Sequence, residues 1–388
     1  MDGHLRFPLR PPQTLLVVQT SPHRFRLSTP LRSPTHVSSN PSSTTQSAHL
    51  VVVARRGPIA VYPNFKSIVK SKLATGVWCE PKPELITGRV KKWAKAANVE
   101  TIRIPGYWYH SPRSQLSVGA KAKPNERVFY HFHGGAYVME TASPSFTTSP
   151  MAMGLLEKTE TTSRLFSLEY RTSSSAPFPL ANPFPAALID AVTGYNYLLS
   201  ELGFDPKNVI LVGDSAGGHL ALSLVRYLLE TSVLPVPGGF IGHSPLCDLT
   251  SSHLANPGSS LEFKTDLLDR LDEGFFEWAW KSFAGPLHDD PNDGPTKNPY
   301  LSPASISSDI ESKISFEGFP RTLLVYGGAE RMRDDVRTLK QRMVRDLGEK
   351  KVTAYEVPDG VHSFLLWKWH EPERSEIFGL LSDWVDEK

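Results

Sequence analysis

Val209-Ile-Leu-Val-Gly-Asp-Ser-Ala-Gly-Gly-His-Leu-Ala-Leu-Ser-Leu-Val-Arg226 is the stretch whose reading decides the fold. Its four leading apolar residues read as a buried parallel strand, and Leu220 to Leu229 reads as an apolar helix. Between them lies Gly213-Asp214-Ser215-Ala216-Gly217, a G-x-S-x-G pattern. A serine held on a sharp strand-to-helix turn has strained backbone angles, and side chains two residues either side of it would collide. The glycines at 213 and 217 relieve that crowding. The same turn aims the first amides of the helix, and its positive end, at whatever the serine attacks. Ser215 is the candidate nucleophile.

Upstream, Arg127-Val-Phe-Tyr-His-Phe-His-Gly-Gly-Ala-Tyr-Val138 is an apolar strand running into the loop His133-Gly134-Gly135-Ala136. Its glycines allow backbone amides to point into a cavity, where they can hold a developing oxyanion. Between this loop and the elbow, Leu165 to Tyr170 reads as a strand. A Pro- and Ser-rich loop follows from Arg171 to Pro185, then a surface helix from Phe184 to Leu202. Strand and helix alternate as in a parallel α/β sheet.

Downstream, Gly239 to His243 is a further buried strand closed by Ser244-Pro245-Leu246-Cys247-Asp248. Residues 251–300 show no strand pattern but carry Phe275, Phe276, Trp278, Trp280 and Phe283, as expected of a helical cap that roofs a site and excludes water. Arg321 to Gly327 reads as a strand leading to acids at 330, 334 and 335, with an amphipathic helix to about Leu347. Lys351 to Val357 is the last strand, and His362 sits on the loop beyond it. Residues 371–387 read as a closing helix. Nucleophile, acid and histidine thus arrive in that order, each past the carboxyl end of a successive strand.

The 388 residues, 40% of them hydrophobic, can bury a large core. The net charge of +2 is unevenly spread: residues 1–79 hold ten Lys or Arg against Asp2 alone, +9, which leaves −7 for the rest. No basic face suggests nucleic acid. Cys79 and Cys247 form neither a disulfide framework nor a zinc pattern, so a reducing compartment fits, and no apolar run is long enough to span a bilayer. Residues 1–48, rich in Ser, Pro and Arg, read as a disordered extension or a targeting segment, compatible with a cytoplasmic or a mitochondrial location. Residues 49–95 read as helices that contribute to the cap, and Val99 to Ile104 as an edge strand. The main domain is expected over residues 96–388, with the cap inserted at about 251–300.

From about residue 95 onward the chain resembles the hormone-sensitive-lipase-like (alpha/beta hydrolase fold-3) branch of the α/β-hydrolases. The matching pieces are His131-Phe-His-Gly-Gly-Ala136, Tyr170-Arg171 with Pro183-Phe-Pro-Ala186, Gly213-Asp-Ser-Ala-Gly-Gly218, Ser244-Pro245 and Gly360-Val-His362. Two positions depart from the family pattern. Ala136 stands where a third glycine is usual, although its amide remains, and Glu330-Arg-Met-Arg-Asp334 stands for D-P-L-x-D. The resemblance implies an α/β-hydrolase fold, with a mostly parallel sheet flanked by helices, and an ester hydrolase that forms an acyl-enzyme. Ser215, His362 and Glu330 would form the triad, with Asp334 the alternative acid. Amides of Gly134, Gly135, Ala136 and Ala216 would hold the oxyanion. No metal or organic cofactor is implied, and the partner is a small ester of short to medium acyl chain, with a homodimer left open. Amidase or formamidase chemistry, a sterol or secondary-metabolite acetyl hydrolase, and a non-catalytic ligand receptor are the alternatives, the last disfavoured because His362 is present.

Overall fold

A computed structural model describes residues 74–144, 149–264 and 273–387. The expected extension at 1–48 and the helical pattern at residues 65–73 lie outside them. Eight strands form one sheet in the order β1-β2-β4-β3-β5-β6-β7-β8. The strands are β1 (Ala74–Cys79), β2 (Ile104–His110), β3 (Arg127–Phe132), β4 (Thr162–Leu168), β5 (Val209–Asp214), β6 (Gly239–His243), β7 (Arg321–Gly327) and β8 (Val352–Val357). β1 and β2 pair antiparallel, as do β2 and β4, and every other pairing is parallel. This mostly parallel sheet with flanking helices is the expected fold class.

β5 lies in the middle of the sheet, between β3 and β6, and all six of its residues are buried. The apolar run Val209 to Val212, three of its four residues β-branched, is what a position with helices on both faces selects. Its helix α4 (Ala216–Thr231) packs against it, beside α3 (Ala186–Asn196). α1 (Gly88–Ala96) buries Val90 and Trp93 on the same side of the sheet. α2 (Ser149–Lys158) and α8 (Glu373–Asp386) cover the opposite face. α5 (Glu273–Ala284) and the short α6 (Ser308–Glu311) lie between β6 and β7, and α7 (Arg333–Leu347) joins β7 to β8.

Three expectations need correction. The strand expected at Val99 to Ile104 begins only at Ile104, runs to His110, and is the second strand from the edge. Pro105 and Gly106 mask it in sequence, yet Gly106 is required: a Cβ there would lie 2.3 Å from the Phe166 ring of β4. The edge strand is β1, within a stretch read as helical, although α1 is helical as expected. Finally, the helix expected on the surface is buried along the whole of α3 and continues as a π-helical turn at Tyr197–Glu201. α3 carries Asp190, which accepts hydrogen bonds from Arg171 Nε at 3.0 Å and Nη2 at 2.7 Å. Burial raises the Asp190 carboxyl above its usual range, and the guanidinium opposes that rise. A fully desolvated, forked pair of this kind fixes the Tyr170-Arg171 segment to α3.

Candidate active site

The elbow forms because β5 passes directly into α4 at Ser215, whose backbone adopts φ 52° and ψ −120°. A non-glycine residue held at such angles carries of order 1–3 kcal/mol of strain, which the surroundings must over-determine. They do so sterically: a Cβ at Gly213 would lie 2.3 Å from the Gly217 carbonyl carbon, and one at Gly217 would lie 2.0 Å from the Phe132 oxygen. The Ser215 amide donates to His243 O at 3.0 Å, and Leu246 N donates to Ser215 O at 2.9 Å, tying the elbow to the end of β6. Although it occupies the N-cap position, the serine side chain makes no capping bond. Its Oγ instead lies 3.0 Å from His362 Nε2.

His362 stands five residues past β8, on a loop held against the end of β7, where the Ala329 amide donates to Gly360 O at 3.1 Å. Its Nδ1 faces Glu330 Oε2 at 3.8 Å, and both side chains are buried. Glu330 follows β7 and is wholly inaccessible to solvent. Its Oε2 accepts from Ser244 Oγ at 2.6 Å and from Gly327 N at 3.2 Å. The residue after His362 closes this circuit, because Ser363 N donates to the same Ser244 hydroxyl at 3.2 Å. Ser244 is thereby a link between acid and histidine loops.

Asp334, the alternative acid, is engaged elsewhere. It accepts from Ser260 N at 2.8 Å and from Arg333 Nε at 2.9 Å. Burial works against its charge, but the Arg333 and Ser260 hydrogen bonds hold its carboxyl below the usual range. Of the two acids, the folded chain brings Glu330 to His362.

The loop after β3 carries Gly134, Gly135 and Ala136 beside the elbow. A Cβ at Gly134 would come within 2.4 Å of the Asp214 carboxylate, so this backbone packs directly on the residue before the serine. Gly135, Ala136 and Tyr137 all lie in the left-handed region, with φ of 97°, 52° and 63°. Tyr170 braces the loop from beneath: its hydroxyl donates to His133 O at 2.6 Å and to Gly134 O at 3.2 Å. The His133 ring stacks on Tyr170 at 4.2 Å, and its Nδ1 lies 2.8 Å from Gly134 O. Burial lowers the His133 pKa to about 4, so at neutral pH the ring is uncharged and Nδ1 is the protonated nitrogen that meets this carbonyl.

Sequence reasoning missed a second cluster, Asp248, His253 and Asp335, whose ligand atoms lie within 4.8 Å of one another. Burial lowers the His253 pKa, but the two aspartates outweigh it and raise it to about 9. His253 Nδ1 is 2.7 Å from Asp335 and 3.7 Å from Asp248. Asp248 also accepts from the amides and hydroxyls of Thr250 and Ser252. A histidinium between two aspartates accounts for the arrangement as an ion cluster, which fastens the loop after β6 to α7. Among the described residues no helix is long and apolar enough to cross a membrane.

A serine on an elbow in the centre of such a sheet, with a histidine within hydrogen-bonding distance, is the arrangement of an α/β-hydrolase scaffold. Comparison with known proteins makes the assignment specific, because the alpha/beta hydrolase fold family matches residues 129–366. The chain belongs to that family, in the branch that includes hormone-sensitive lipase, and is a hydrolase of the carboxylic-ester class. An acetyl-hydrolase of Streptomyces hygroscopicus is 30% identical over 254 residues, which cover 65% of this chain and 71% of that protein. An esterase of Acinetobacter venetianus is 28% identical over 230 residues, 58% of this chain and 63% of that one. Among solved structures, the esterase EstE5 soaked with p-nitrophenyl butyrate superimposes with a TM-score of 0.56 at 25% identity, covering 73% of this chain and 81% of that one.

Proposed function

We propose that the protein hydrolyses carboxylic esters of short to medium acyl chain through an acyl-enzyme on Ser215. The observation that carries this reading is the 3.0 Å approach of Ser215 Oγ to His362 Nε2 at a strained elbow. The serine oxygen bonds to the ester carbonyl carbon while His362 Nε2 takes its proton. The negative charge that builds on the carbonyl oxygen meets amides of Gly134, Gly135 or Ala136 together with that of Ala216. Each such donor lowers the barrier by about 3 kcal/mol. Collapse breaks the bond to the alkoxy oxygen, and the imidazolium returns its proton to the departing alcohol. Water then attacks the acyl-serine and gives its proton to His362, and as the bond to the serine breaks His362 returns that proton to Ser215 Oγ and the carboxylic acid leaves. Glu330 keeps the imidazole oriented and stabilises its cationic form through both steps.

The named relatives support the substrate class: one is an acetyl-hydrolase, another an esterase, and a structural neighbour was soaked with a butyrate ester. Next to the oxyanion loop, α5 packs Phe275 and Trp278 against Val138 in a buried apolar cluster, with Phe178 and Phe276 beside them. The test is hydrolysis of p-nitrophenyl acetate, butyrate and octanoate by wild type and Ser215→Ala. Turnover of the two shorter esters, abolished in the variant at unchanged melting temperature, is expected. Equal turnover by Ser215→Ala would refute the assignment.

A further inference from the structure

From the contacts of the oxyanion loop we infer that Tyr137 and His219 form a latch that positions this loop against the elbow, an inference that rests on the esterase reading above. Two consecutive non-glycine residues in the left-handed region, Ala136 and Tyr137, are held there at a cost. Gly135 O accepts from Val138 N and Met139 N, both at 3.0 Å, which closes this turn locally, and the Tyr137 side chain and carbonyl tie the turn to the rest of the fold. The Tyr137 hydroxyl lies 2.8 Å from His219 Nδ1, and its ring stacks on Phe283 of α5 at 3.7 Å with a 10° angle between planes. Its carbonyl accepts from Ser173 N at 2.6 Å. The ring is completely buried.

His219 lies four residues beyond Ser215, one helical turn along α4, so it and the serine share a helix face. Its Nε2 lies 3.2 Å from Leu301 O, a group that can only accept. Nε2 therefore carries the proton of the neutral ring, and Nδ1 is left as an acceptor for the Tyr137 hydroxyl. The hydrogen-bond direction is fixed at both ends: tyrosine donates to histidine, and histidine donates to the main chain. One side chain thus connects three pieces: the loop at 134–137, the helix that begins at the nucleophile, and the chain near Leu301 that follows α5. Tyr137 and His219 touch no reacting atom. They are positioning residues, and their effect falls on the geometry of the oxyanion donors and not on the binding of the ground-state ester.

The test is a double-mutant cycle of Tyr137→Phe, which deletes one oxygen, and His219→Ala. It reads kcat and KM on p-nitrophenyl butyrate together with affinity for a trifluoromethyl ketone, whose serine adduct carries an oxyanion. Displacing a catalytic group by a fraction of an ångström costs on the order of tenfold or more. Tyr137→Phe is expected to lower kcat about tenfold and weaken the ketone by the same factor, with KM within about twofold of wild type. The double variant should lose little beyond the larger single loss, because the two residues act as a unit. An active wild type that Tyr137→Phe matches in kcat and ketone affinity overturns the latch alone, and so does a loss confined to KM. A wild type inert toward every ester overturns the esterase reading and the latch with it. Should His219→Ala fail to fold, Tyr137→Phe alone decides.

Discussion

Replacing Glu330 by glutamine preserves shape and removes charge, so it isolates what the acid does. Its Oε2 lies 3.8 Å from His362 Nδ1, and both side chains are buried. With an effective permittivity near 20, two unit charges at that separation attract by about 4 kcal/mol. That attraction exists only while His362 is cationic, as it is when the serine oxygen attacks and when the acyl-serine is hydrolysed. Its loss falls on the barrier and not on substrate binding, and about 4 kcal/mol corresponds to roughly a thousandfold in kcat. Glutamine can still accept from Ser244 Oγ and Gly327 N through its carbonyl oxygen, so the loop should survive. Asp334→Asn is the control, since that carboxylate is committed to Ser260 and Arg333. The assay is steady-state hydrolysis of p-nitrophenyl butyrate with circular dichroism and melting curves alongside. Glu330→Gln should lose about three decades of kcat at similar KM, and Asp334→Asn less than about threefold. Loss of less than tenfold in the first, or an equal loss in the second, would refute the assignment of the acid.

Two further perturbations probe the scaffold. Gly217→Ala drives a Cβ to within 2.0 Å of the Phe132 oxygen and 2.6 Å of the His133 oxygen, both main chain. It should destabilise by about 3 kcal/mol or more, whereas Gly379→Ala, with nothing within 4 Å inside α8, should stabilise by about 0.5–1 kcal/mol; equal melting shifts would contradict this. Glu169 is buried, its pKa is raised by that burial to about 7, and one oxygen accepts from both Thr141 Oγ1 and Ala142 N. A carboxyl whose folded pKa is raised is uncharged in the native state and costs stability as pH rises from the unfolded value of about 4.5 through 7. Glu169→Gln keeps an acceptor and cannot ionise. It should match wild type near pH 4 and gain stability progressively up to about pH 7, approaching 3 kcal/mol by pH 8. A pH-independent difference in melting temperature would exclude that origin.

What could be read from sequence divides along the range of the interactions. The elbow was legible because its requirements are local: an apolar strand, glycines at two set distances from a serine, and a helix. The position of Glu330 over Asp334 followed from alignment of a short motif, and the structure brings Glu330 and not Asp334 to the histidine. β2 was misplaced because Pro105 and Gly106 look like breakers, while the need for Gly106 arises from Phe166, sixty residues away. The burial of α3 depends on which elements cover it, and its own pattern could not show that. Asp190 opposite Arg171, Tyr137 opposite His219 and His253 between two aspartates are contacts between distant segments. Apart from Arg171, which belongs to a family-like piece, no catalytic role singles these residues out in the sequence, and only the folded chain pairs them.

The central claim is that Ser215, activated by His362, is the nucleophile, and covalent labelling tests it most directly. A fluorophosphonate reacts when a serine oxygen bonds to phosphorus and fluoride leaves, with the serine proton passing to the neighbouring base. Intact mass and peptide mapping after labelling should show one adduct, on Ser215, absent from Ser215→Ala and formed far more slowly in His362→Ala. An adduct at another residue, or esterase activity that persists in protein with Ser215 fully labelled, would contradict the account.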